Sequence, residues 1–96
     1  MVAVDLGRYI LKFSYGDVFS TPGLDIKSRE LASVAALTAR GTMAHEMPLK
    51  VHVQGALNTG ATRQEVSEAI LHMLPYAGFS RVQSAMALAG EVFSQQ

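Results

Sequence analysis

Leu6, Tyr9, Ile10 and Phe13 recur at the i, i+3, i+4, i+7 spacing of one helical face, which predicts a first helix from about Asp5 to Val18. Thr21-Pro22-Gly23 then breaks the chain. Asp25 is a suitable N-cap for a second helix, Ile26 to Arg40, and Gly41 sits where a left-handed closing residue is wanted. The body of that helix, Leu31-Ala32-Ser33-Val34-Ala35-Ala36-Leu37, is apolar nearly all round, the pattern of a buried central helix. Pro48 suits the first position of a third helix running to about Asn58, with Gly60 as its stop. Thr62-Arg63-Gln64-Glu65 has the form of a capping box and opens a fourth helix with Val66, Ile70, Met73 and Leu74 on its apolar side. Pro75 should kink or end that helix, and Gly78 marks the break. Ser80-Arg81-Val82-Gln83 looks like a second capping box, starting a fifth helix with Val82, Met86, Ala89 and Phe93 on one face. No segment alternates with the period of a strand. The expectation is an all-α antiparallel bundle of about five helices, one domain over residues 1–96.

Composition adds an expectation about assembly. Charged residues make up 17% of the chain and hydrophobic ones 49%, whereas an average domain carries about 25% charged residues. The apolar surplus points to a homo-oligomer in which copies cover one another. A formal net charge of zero gives no electrostatic case for nucleic acid or an anionic membrane. The absence of cysteine excludes disulfides, thiolate metal sites and thiol redox chemistry of this chain alone. No apolar run approaches the ~20 residues of a membrane span. Met1-Val2-Ala3-Val4-Asp5 has neither a basic nor a long apolar region of a signal peptide, so the default expectation is a soluble cytoplasmic protein.

Candidate chemistry rests on three histidines and one glutamate. His52 lies inside the third helix and His72 inside the fourth. Across a tight antiparallel hairpin their heights would differ by roughly 6 Å, close enough to share one cavity wall. His72 also has a plainer partner in Glu68, four residues earlier. His45 and His52 form an H-x6-H spacing that lacks the helical i,i+4 pair of a metal site, so no metal is expected. Glu30 shares a helical face with Val34 and Leu37. A carboxylate buried there suits acid–base work; alternatively it favours the helix dipole or pairs with Lys27 or Arg29.

The chain resembles the carboxymuconolactone decarboxylase family, within the wider group that includes alkylhydroperoxidase D. The matching stretches are Arg8-Tyr9 through Phe13, Gly16-Asp17-Val18, Pro22-Gly23-Leu24-Asp25, Arg29-Glu30-Leu31 with Val34-Ala35-Ala36-Leu37, Leu49-Lys50-Val51-His52, Gly55-Ala56-Leu57-Asn58, Glu65-Val66, Tyr76-Ala77-Gly78-Phe79 and Glu91-Val92-Phe93. The resemblance implies an all-α fold assembling as a trimer or hexamer. In the peroxidase branch a C-x-x-C pair precedes a histidine by four residues. Here that histidine is His52, the cysteine positions fall on His45 and Pro48, and the relay glutamate best matches Glu30. A thiol peroxidase is therefore not expected.

The decarboxylase branch needs no cofactor. Its substrate is a small carboxylated lactone of aromatic catabolism, which loses CO2 as a ring double bond shifts and carbon is reprotonated. The resemblance then implies His52 as acid/base with Glu30 orienting or recharging it; His72, His45 and Tyr76 are expected to line the pocket, and Arg81 or Arg40, chosen by charge alone, to meet the substrate carboxylate. The chain departs from the family at Thr21, where Arg is common, at Ser80 and Ser84, where Pro and Asn are frequent, and at Gln54, where the decarboxylases often place an Arg. It is also shorter than typical family enzymes, chiefly at the N-terminus. The alternatives are a non-catalytic oligomer binding a ligand or partner, and a redox accessory whose thiol comes from elsewhere.

Overall fold

Helix α1 (Val2–Tyr9) runs straight on into a π-helical segment, Ile10–Val18, in a computed structural model that describes residues 2–41 and 46–96. The expected first helix is therefore present but changes its winding halfway. Its last i→i+5 bond is the Phe19 N–H donated to the Ser14 carbonyl at 2.7 Å.

Helix α2 (Ile26–Arg40) has the ends its sequence predicts. Asp25 is extended, and its carboxylate accepts the Ser28 N–H at 2.8 Å. Gly41, at φ 52°, closes the helix in the left-handed region and donates its N–H to Leu37. Helix α3 (Glu46–Asn58) starts two residues before the expected Pro48. Helix α4 (Arg63–Leu71) carries both hydrogen bonds of its capping box, Glu65 N–H to Thr62 Oγ1 at 3.0 Å and Thr62 N–H to Glu65 Oε1 at 2.9 Å. Pro75 stands near the start of the single turn α5 (Leu74–Ala77).

Helix α6 (Phe79–Ser94) corrects a second expectation. No capping box forms at Ser80: Gly78 occupies the N-cap position at φ 89°, with no side-chain cap. A cap needs extended backbone, and Ser80 is already helical.

Helices α2, α3, α4 and α6 enclose the core. Val34, Leu49, Val53, Ala56, Val66, Ile70, Val82, Ala85, Ala89 and Val92 are buried there. Only one stripe of α2 goes inward, Glu30, Val34 and Thr38, while Ala32 and Ala36 are exposed. The expectation of a helix buried all round is thus not met within one chain. The first segment departs further. Leu6, Tyr9, Ile10 and Phe13 share a face as predicted, yet are 48–64% exposed, because the core closes without them. Among the described residues there is no strand, and no helix is long and apolar enough to cross a membrane.

Candidate active site

The buried stripe of α2 places a carboxylate where a hydrocarbon would be expected. Glu30 lies one turn before Val34, and its side chain is only 8% exposed. Helix α3 packs along α2 and carries His52 beside the buried Val53. Glu30 Oε1 meets His52 Nδ1 at 2.5 Å. The other partners open to Glu30 are occupied elsewhere. Lys27 binds Glu65 at 3.1 Å, and Arg29 donates to the Leu24 and Thr21 carbonyls.

Gly55 makes this contact possible. It lies one turn beyond His52 on α3, and a Cβ there would strike the Glu30 carboxylate, 2.8 Å from Cδ. A glycine inside a helix costs about 1 kcal/mol relative to alanine. The missing side chain is what lets the carboxylate lie against the α3 backbone.

On its other side His52 borders a cavity of about 510 Å³. The Tyr15 and Phe19 rings lie near-parallel to the imidazole, with centroids 6.3 and 6.1 Å away, and stand 4.8 Å from each other. Ile10, Ser14, Leu37 and Val51 contribute further wall. Burial, and then the charge of Glu30, push the Tyr15 phenol above the ordinary tyrosine value. It therefore stays protonated at neutral pH.

This arrangement suits proton transfer at a chosen atom. A carboxylate only accepts, so Nδ1 carries the hydrogen it shares with Glu30, and Nε2 is left as the ring's second proton site. When the ring is charged, the buried carboxylate balances it. Among the described residues no other charged side chain lines the cavity.

The remaining candidates lie elsewhere. His72 caps the end of α4, meets the Tyr76 ring at a tilt with centroids 5.9 Å apart, and borders a separate shallow hollow with Leu31, Glu65 and Pro75. It does not share a wall with His52 within the chain, because α4 packs mainly on α2 and α6 and only lightly on α3. Nor does it pair with Glu68, which accepts from Gln64 Nε2 at 3.0 Å. Arg81 donates to the Ala39 carbonyl at 2.8 Å and lines another cavity with Thr38, Glu46 and Leu88, so it does not supply a cation beside His52. His45 lies outside the described residues.

Tyr15, Phe19 and Gly55 were not singled out from the sequence as site residues. The isolated glycine one helical turn after a histidine was a usable signal. The two aromatics were hidden by the change of winding. An i→i+5 ladder turns about 82° per residue, which brings residues 10, 14, 15 and 19 within an arc of about 80°. At the α-helical 100° the same four would spread over about 180°.

Residues 5–91 match the model of the carboxymuconolactone decarboxylase family. The chain is 39% identical, over 93% of its length, to a 4-carboxymuconolactone decarboxylase of Acinetobacter baylyi. It is 34% identical over 91% of its length to an uncharacterised 15.0 kDa protein of Paracoccus denitrificans. It is also 34% identical over 80% of its length to the nitrosuccinic acid decarboxylase of Metarhizium robertsii. It spans 64% of the length of the first two proteins and 52% of the third.

Proposed function

Because this chain belongs to the carboxymuconolactone decarboxylase family, we propose that it is a cofactor-free decarboxylase of a small carboxylated lactone, with His52 as acid/base and Glu30 as its orienting partner. The observation that carries this reading is the buried Glu30 carboxylate on His52 Nδ1, at the wall of an aromatic cavity. The names of two relatives support the reaction class. One is a decarboxylase of carboxymuconolactone and the other of nitrosuccinic acid. Each substrate carries an electron-accepting group, a lactone carbonyl or a nitro group, so neither needs a separate electron sink.

The chemistry follows from that property. As the bond to the carboxylate breaks, its electron pair moves through the ring double bond onto the lactone carbonyl oxygen. CO2 leaves, and a carbon next to the carbonyl must then receive a proton. Protonated His52 delivers it from Nε2 and is recharged from water, while Glu30 holds the ring at one angle and balances its charge.

A binding-only member is the second reading, and the charge-poor cavity wall favours it. Lactone turnover separates the two. Loss of the lactone's ultraviolet absorbance should be catalysed by the wild-type protein and reduced by about a hundredfold or more in Glu30→Gln. No turnover by the wild type would leave the binding reading in place.

The protein acts as a homo-oligomer in this proposal, a trimer or hexamer. The exposed stripe Leu6, Tyr9, Ile10 and Phe13 supports assembly, and Ile10 belongs both to it and to the cavity wall. A second copy covering this stripe would then border the site.

A further inference from the structure

The proposed reaction places negative charge on an oxygen of the substrate, and the acid–base pair serves only the carbon that is protonated. Something else must meet that oxygen. Among the described residues the cavity wall offers few polar groups. The Ser33 hydroxyl is committed to the Arg29 carbonyl at 3.0 Å, and His52 Nδ1 to Glu30. The Tyr15 hydroxyl has no hydrogen-bond partner among the described residues, it is not a buried unsatisfied group, and Tyr15 lines the cavity. Its ring lies near-parallel to that of His52, 6.3 Å away.

The geometry points to Tyr15 as a further catalytic residue, whose hydroxyl donates a hydrogen bond to the oxygen that becomes anionic when CO2 leaves. This rests on the decarboxylase reading of the same site. The step balances without new reagents. The electron pair of the broken C–C bond ends on the carbonyl oxygen, Tyr15 keeps its proton while hydrogen-bonded to that oxygen, and one proton from His52 reaches carbon. The raised pKa of the phenol suits a donor that holds its proton. Two features make it a preorganised donor. Phe19 packs on the tyrosine ring at 4.8 Å, and the π-helical winding turns both rings to the cavity. Ser14 lines the same cavity, but its hydroxyl, on a short side chain with no ring to fix it, is a weaker candidate.

The test uses the full chain and tetronate, the stable enolate anion of a five-membered lactone, as a stand-in for the charged intermediate. Calorimetry should show tetronate binding to Tyr15→Phe at least about tenfold more weakly than to wild type, since hydrogen bonds to charged groups are the strong ones. Affinity for the neutral lactone γ-butyrolactone should be unchanged. Replacing Tyr15 by 3-fluorotyrosine, which keeps the shape and strengthens the donor, should tighten tetronate binding. On the carboxylated lactone, kcat of Tyr15→Phe should fall by about a hundredfold. Equal tetronate affinity in wild type and Tyr15→Phe, or no tetronate binding by the wild type, overturns the role of Tyr15, and lactone turnover by the wild type would then leave the decarboxylase reading intact. Tetronate discrimination without lactone turnover would keep Tyr15 as an anion-binding donor and overturn its catalytic role together with the decarboxylase reading. Should Tyr15→Phe fail to fold, unchanged affinity in the 3-fluorotyrosine protein decides against the donor.

Discussion

Glu30 and Gly55 show how one side chain's position depends on the absence of another. Glu30 was legible in the sequence as a face-mate of Val34, and the structure buries both. Its partner His52 was legible only through the family resemblance, because pairing α2 with α3 is a tertiary event that no helical period encodes. Gly55 gives this pairing a test with an unusual sign. Alanine is the better helix former by about 1 kcal/mol. At Gly90 of α6, where a Cβ meets nothing within 4 Å, Gly90→Ala should stabilise the protein by about 0.5–1 kcal/mol. At Gly55 the same change drives a Cβ into the Glu30 carboxylate, and overpacking costs about 1–3 kcal/mol. Gly55→Ala should therefore lower the urea midpoint while Gly90→Ala raises it. A stabilised Gly55→Ala would show that the carboxylate is not held against the α3 backbone.

Helix ends were the most legible elements, because capping is local chemistry. Asp25 and Thr62 each cap the helix they were expected to cap. The failures have tertiary or conformational causes. The Ser80 box lost to Gly78, whose φ of 89° lets the chain turn from α5 straight into α6. The π winding of 10–18 leaves no mark on a pattern read at 3.6 residues per turn, so the cavity face of that segment was invisible.

The caps also make stability depend on pH. The Ser28 side chain and amide hold the Asp25 carboxyl below its usual range. The Thr62 amide, with Lys27, does the same for Glu65. A lowered folded pKa means that the stabilisation is present above the unfolded value, about 4, and is lost as pH falls through the folded value. The melting temperature should accordingly fall between about pH 5 and pH 3. It should fall less in Asp25→Asn/Glu65→Gln, whose amides do not titrate. Equal slopes in the two proteins would show that these caps carry no pH-dependent stability.

At the scale of the whole molecule the apolar surplus in the composition becomes a place. Leu6, Tyr9, Leu11 and Phe13 stand open on the first helical segment, and Tyr76 and Phe79 on the opposite side of the sequence are 75% and 79% exposed. The all-α class was legible, since the helices α2, α3, α4 and α6 each announced themselves by period, breaks or caps. Which helix stayed outside the core was not, because that depends on how four other helices close. If the first segment is an interface, light scattering should give a mass near three or six times 10.3 kDa, and Phe13→Lys should lower it. A monomeric wild type would contradict the assembly. The most direct test of the whole reading is CO2 release from 4-carboxymuconolactone in D2O. The wild-type protein should release one CO2 per lactone consumed and place one solvent deuterium on a ring carbon, and His52→Ala should do neither. No release by the wild type, or undiminished release by His52→Ala, would contradict it.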